Sequence, residues 1–334
     1  MFKSLKDKNG KEIVGSFFEK TFIDVGGIRQ GFFIQAENPE NPVILFLHGG
    51  PGNPILPLLT SFELPERLEK YFTLCYWDQR GAGMSFSKSI DLETMTVDQM
   101  LEDTRQMTEY LQKRFNQEKI YLMGHSWGSF LGIKTIAKYP ENYLGYIGIG
   151  QVANQVESEK LTYDHILQHA IKKGDRSAIK KISKFEKDVR DFVKLEYILG
   201  VRARLMNKYN LGAKDIKIMS LRVLKDFLFF KGYTFSEKIN YSKGALFSIK
   251  HLWEKVIKDN LFETSKIFKV PIYFIQGKYD YQTSYTVAYE YFDIIEAPKK
   301  EFYAFDNSAH FPMMEEREKF VEIVRKIAND AIEN

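Results

Sequence analysis

The residues best equipped for covalent chemistry begin with Gly124-His125-Ser126-Trp127-Gly128. A serine between spaced glycines is common in ordinary turns, but here the apolar run Ile120 to Met123 precedes it and a helix-like run from Trp127 to Tyr139 follows. That strand–turn–helix setting is what a nucleophile elbow requires: a sharp turn presenting the serine hydroxyl, with flanking glycines small enough for strand and helix to pack closely. The helix would point its unpaired N–H groups toward the hydroxyl. The competing reading is a serine that merely caps a helix.

A serine hydroxyl is a weak nucleophile without a base. Among the six histidines, His310 follows the last strand signal in Asn307-Ser308-Ala309-His310-Phe311-Pro312 and is the expected general base, on a loop at the same edge as Ser126. His48 and His125 lie in glycine-flanked turns, where backbone geometry is the expected reason for them, and His251 lies in a helical stretch. His165 and His169 are spaced like metal ligands on a helix, but the intervening Ile-Leu-Gln lacks the glutamate of a zinc-binding helix, so a polar helix face is expected and no metal. The acid that orients the base is expected between nucleophile and histidine in chain order. Asp280, just past the strand VPIYFIQ, is the expected residue, and Asp306, four residues before His310, is its competitor.

Acyl transfer also needs N–H donors where the carbonyl oxygen becomes negative, each worth about 3–4 kcal/mol. His48-Gly49-Gly50-Pro51-Gly52 follows an apolar strand; Pro51 has no N–H, so Gly50 is the expected donor. Its partner is the N–H of Trp127, the residue after the nucleophile. The competing reading is a glycine-rich turn without chemical meaning. A phosphate loop is excluded, because no Gly-Lys-Ser/Thr follows.

These residues need strand ends to hold them. Residues 16–25 and 28–37 read as strands joined by a Gly26-Gly27 turn, and 42–47 and 72–77 as strands that are apolar almost throughout, the pattern of burial on both faces. A helix is expected from Thr96 to Phe115, strands at 119–124 and 143–150, and a change of pattern from 152 to 265 into amphipathic helices rich in Lys, Tyr and Phe. Alternation resumes with the strand at 270–276, a helix opened by Thr283 or Ser284, the strand 301–306 and one terminal helix from Met314. The expected fold class is therefore α/β: a mostly parallel sheet with helices on both faces, formed by residues 1–151 and 266–334, with 152–265 inserted as a helical cap where the strands end.

The chain has 334 residues, 44% hydrophobic and 28% charged, which excludes disorder and fibrous classes. A net charge of +4 is too small to imply nucleic acid, and the 23 basic against 14 acidic residues of 151–265 are scattered, as on a solvated helical face. The single cysteine, Cys75, allows no intrachain disulfide, and the sequence shows no membrane-length apolar run or secretory leader. A cytoplasmic protein working without membrane, nucleic-acid partner or cofactor is expected; the sequence leaves its oligomeric state open.

Taken together, HGGPG at 48–52, DQRGAGMS at 78–85, GHSWGS at 124–129, GKYD at 277–280 and SAH at 308–310 resemble the proline iminopeptidase branch of the α/β-hydrolases. The resemblance covers roughly 20–150 and 268–330. It implies an α/β-hydrolase fold with a helical cap, Ser126, Asp280 and His310 as the triad, Gly50 and Trp127 as oxyanion donors, and Asp78 and Arg80 in a structural loop as a buried ion pair. It implies a serine peptidase that releases N-terminal residues from short peptides. The cap departs from the pattern: the tryptophan-rich W-x-x-W-E stretch that supplies glutamates for the substrate amine is missing, and Leu252-Trp253-Glu254 reads as packing. Glu157, Glu159, Glu186 and Glu196 are unranked acidic candidates. The motifs also suit a carboxylesterase or amidase acting on small substrates, and a ligand receptor without catalysis is a third reading. Aspartate, the residue that epoxide hydrolases and dehalogenases place at the nucleophile position, is absent there. Phe227, Phe229, Phe230 and Tyr233 are expected to pack cap helices rather than line an acyl pocket.

Overall fold

The computed structural model describes residues 2–6, 9–59, 64–213 and 216–332. Nine strands form one sheet: β1 (Phe2–Lys3), β2 (Phe17–Val25), β3 (Ile28–Ala36), β4 (Val43–Leu47), β5 (Thr73–Trp77), β6 (Ile120–His125), β7 (Tyr143–Ile149), β8 (Ile272–Gly277) and β9 (Lys300–Phe305). Their order across the sheet is β1-β2-β3-β5-β4-β6-β7-β8-β9. The β2–β3 hairpin turns at Gly26-Gly27, both with positive φ, as a tight two-residue turn matched to strand twist demands. From β5 to β9 all neighbours are parallel.

Strands β4, β5, β6 and β8 are buried along their whole length, which is why their sequences are mostly apolar, with Thr73, His125 and Gln276 as polar exceptions. One face of the sheet is covered by the helices Val97–Phe115, Trp127–Lys138 and Tyr285–Ile294, through residues such as Leu111, Phe130 and Tyr291. The other packs on the helix Arg317–Ile332 through Phe320, Val324 and Ile327. From β4 the chain passes to β5 on one side and then to β6 on the other, so the loops leaving β4 and β6 diverge and open a crevice at the carboxyl ends of the strands.

Between Gln155 and Thr264 the described residues are helices and turns, with a core of their own that includes Ile166, Phe192, Tyr197 and Ile257. The last helix departs from the expectation. It begins as Pro312–Glu315, breaks at Glu316 and restarts as Arg317–Ile332. The break aims two carboxylates back at the preceding loop: Glu316 accepts from Asn307 N–H and Ser308 Oγ–H, and Glu315 accepts from Ala309 N–H.

Candidate active site

Ser126 sits between β6 and the helix Trp127–Lys138 with φ 55° and ψ −120°, a backbone region that costs a residue bearing Cβ energy. Its neighbours hold it there. The Ser126 N–H donates to Ile149 O at the end of β7 (2.9 Å). A Cβ on Gly124 would lie 2.2 Å from Gly128 O, and one on Gly128 would lie 2.0 Å from Leu47 O, so both glycines are required by close backbone approach. Ser126 is half-buried, and among the described residues its hydroxyl makes no hydrogen bond.

Two other strand ends bring Asp280 and His310 together: Nδ1 of His310 lies 2.8 Å from Asp280 Oδ2, both side chains buried. The Asp280 carboxylate also accepts from Gln282 N–H (2.8 Å), Thr283 N–H (3.0 Å), Thr283 Oγ1–H (2.8 Å) and Gln276 Nε2–H (3.1 Å). Burial pushes this carboxyl up, but the His310 imidazole and the Thr283 donors outweigh it, so Asp280 titrates below the ordinary aspartate value. Because Thr283 spends its hydroxyl here, it does not cap the helix Tyr285–Ile294; Ser284 holds the cap position without a side-chain hydrogen bond. Asp306 is elsewhere, in exposed ion pairs with Lys278 and Lys319.

His310 approaches the elbow through the residue before the serine. His125 Nε2–H donates to His310 O (2.9 Å), and the two rings lie 4.7 Å apart. Burial, with the neighbouring His310 ring, lowers His125 to about 3, so its ring is neutral at physiological pH. His48 is likewise neutral, lowered by burial to about 4: its Nδ1–H donates to Gly49 O (2.9 Å) and its Nε2 accepts from Gln79 N–H (3.1 Å). Both rings are thus structural struts, which a reading of their turns alone does not reveal; only their positions next to the two loops hint at it. The loop after β4 lies directly on the elbow, since a Cβ on Gly49 would come 3.3 Å from that of Ser126. Gly50 has φ 116° and its N–H, like that of Trp127, has no acceptor among the described residues. The Trp127 indole is committed to Gln79 Oε1 (2.8 Å).

The expected Asp78–Arg80 ion pair is not formed. Arg80 turns away to Asp103 on the helix Val97–Phe115, with Nε 2.7 Å and NH2 3.0 Å from the two carboxylate oxygens. Asp78 instead accepts from Met84 N–H (2.8 Å) and Tyr233 O–H (2.7 Å). A fork-shaped guanidinium two residues along can reach a helix that the sequence places far away, and Asp103 offers both oxygens to it.

Three of the four acidic candidates are paired, and the fourth lies at the surface. Glu157 pairs with Lys160 and Glu186 with Arg190, both at the surface, and Glu196 is exposed. Glu159 is fully buried, with its oxygens held by Arg202 Nε (2.6 Å), Gln155 Nε2 (2.9 Å) and Tyr197 O–H (3.4 Å). His165 packs against Tyr281 and His169 stacks on Tyr209. Phe230 packs edge-on against Phe33 of β3, Phe227 packs on Tyr241, and Phe229 is exposed. Trp253 donates to Phe192 O inside the helical core.

Residues 42–317 match the model of the α/β hydrolase fold. The chain belongs to that family. It is 32% identical, over 92% of its own length and 95% of the relative's, to the probable aminopeptidase YbaC of Bacillus subtilis. It is 24% identical to the proline iminopeptidase of Heyndrickxia coagulans, over 93% of this chain and 99% of that one. Its fold is similar to the solved proline iminopeptidase of Mycobacterium smegmatis, with a TM-score of 0.59 at 14% identity, covering 94% and 98% of the two chains. Membership places the chain among hydrolases, and the described residues include no helix long and apolar enough to cross a membrane.

Proposed function

We propose that this α/β-hydrolase is a serine hydrolase working through an acyl-enzyme, with short peptides as substrates from which it releases N-terminal residues. Ser126 Oγ attacks the scissile carbonyl while His310 Nε2 takes its proton. Asp280, bound to Nδ1–H, keeps the imidazole in the tautomer that leaves Nε2 free and stabilises the imidazolium as it forms. The N–H groups of Gly50 and Trp127 hold the oxyanion. His310 then protonates the leaving amine, and a water attacks the acyl-enzyme with the same base assisting. The reading rests on the 2.8 Å Asp280–His310 bond, formed beside a serine held in an elbow with positive φ. The peptide preference rests on the similarity to relatives named as aminopeptidases. The proposed location is the cytoplasm, on the grounds given by the sequence.

A second reading, hydrolysis of small esters, draws on one observation: the fully buried carboxylate of the helical segment, Glu159, has both oxygens engaged, by Gln155 and by Arg202, rather than presented to a substrate amine. Turnover of proline 4-nitroanilide, 4-nitrophenyl acetate and 4-nitrophenyl butyrate by wild type and Ser126→Ala separates the two. We expect anilide cleavage, loss of at least about 10³-fold in the alanine variant and covalent labelling of wild type alone by a fluorophosphonate. Cleavage of the esters alone selects the second reading, and undiminished activity in Ser126→Ala removes the mechanism.

A further inference from the structure

Of the four acidic side chains the sequence offers for a cationic substrate, three are paired and Glu196 is exposed, whereas the charged group that lines a cavity beside the site is an arginine. The helical segment, the loop after β8 and the loop after β9 enclose a cavity of about 200 Å³. Its walls include Arg202, Asn207, Gly212, Gln282 and Phe311. Two of these tie it to the proposed triad: Gln282 donates its N–H to Asp280, and the ring of Phe311 lies 5.2 Å from those of both His125 and His310. Such a volume is below that of a cleft enclosing a whole drug-sized ligand, so the cavity takes one end of a substrate.

Arg202 is buried, its side chain 7% exposed, and Nε binds Glu159 Oε2 at 2.6 Å. Glu159 is fixed in turn by Gln155, whose Nε2 also donates to Gln282 O. This network spends one of the five guanidinium N–H donors. Among the described residues the two terminal nitrogens make no hydrogen bond, although the residue lines the cavity. A guanidinium anchored through Nε and open at its two terminal nitrogens is the geometry that takes a carboxylate bidentately.

We propose that this cavity is an anion subsite in which Arg202 binds the carboxylate at the far end of a short substrate. For a peptide, that group is the C-terminal carboxylate, and the preferred substrate is then a dipeptide. The inference deepens the peptidase reading and rests on it for the identity of the substrate. It also assigns Glu159 to holding Arg202 rather than to meeting an amine.

The test compares prolyl-leucine with prolyl-leucinamide, a pair differing in the terminal charge. Wild type should favour the acid by about 10–100-fold in kcat/KM, mostly through KM. In Arg202→Met, and in the charge-neutral pair Arg202→Gln with Glu159→Gln should the buried glutamate left alone prevent folding, the acid-to-amide ratio should fall to about one. Calorimetric binding of both peptides to the Ser126→Ala protein repeats the comparison without turnover. Tighter binding of the acid supports the subsite even if neither peptide is cleaved, an outcome that would count only against the peptidase reading. Equal kcat/KM with equal binding overturns the subsite and leaves the acyl-enzyme mechanism standing, as does a ratio unchanged by removal of Arg202.

Discussion

At the scale of single residues, the proposed site is held by buried side chains outside the proposed triad. His125 is the clearest. Its neutral ring packs at a tilt against that of His310 and donates to the carbonyl of that residue, so it bears on both the height and the tilt of the proposed base. Phenylalanine at this position keeps a ring for that packing and removes the donor. His125→Phe is therefore expected to lower kcat by about 10–100-fold, the range a small misplacement of a base produces, while KM moves little. A glutamine, which can donate from a similar height, should recover part of the loss. Steady-state kinetics of the three proteins checks this, and an unchanged kcat in the phenylalanine variant would show that His310 is held by Asp280 alone.

Elements come next, and the loop after β5 shows how they are locked to one another. Arg80, buried among Asp103, Thr94 Oγ1 and Gly26 O, joins three elements: the β2–β3 turn, the loop after β5 and the helix Val97–Phe115. Asp103 also accepts from Gln30 and Gln99. Asp103→Ala would leave a buried guanidinium uncompensated, and the expected cost is about 3–5 kcal/mol in unfolding free energy, read from urea denaturation. Nothing in the spacing of Asp78, Arg80 and Asp103 discloses this pairing, since the nearer acid is the obvious partner. Local pattern announces elements, because burial on both faces writes β4, β5 and β6 as apolar runs and Thr96 caps its helix through Gln99 N–H. It also marks Ser126, Asp280 and His310, since each follows a strand directly or by a short loop. What it leaves dark are side-chain contacts that follow no periodicity, whether near in the chain, as Glu315 and Glu316 turned back onto the His310 loop and Thr283 on Asp280, or far apart, as Arg202 on Glu159.

For the whole molecule, the question is how the helical segment is coupled to the sheet, and the titration of one carboxyl reports on it. Asp78 at the end of β5 accepts from Tyr233 O–H, in the chain between the helices Ile216–Phe229 and Phe235–Lys258, so the two parts meet at a buried acid. Burial pushes its pKa up to about 7; the Met84 N–H and the Tyr233 hydroxyl pull the other way, Glu237 adds to the rise and Lys20 opposes it. The sign of the consequence follows. An unfolded aspartate releases its proton near pH 4, whereas the folded one retains it to about pH 7, so between these values the folded state binds more protons and stability falls as pH rises. Below about pH 4 and above about pH 7 the contribution is level. Asparagine has no proton to lose and keeps an oxygen for Tyr233 and Met84. Guanidinium unfolding at pH 5 and pH 8 should therefore show wild type losing about 2–3 kcal/mol more than Asp78→Asn over that interval, because every other titrating group is common to both proteins. Parallel losses would mean that Asp78 is already ionised at pH 5 in the folded chain, and that the contact between sheet and helical segment is carried by a charge rather than by a protonated acid.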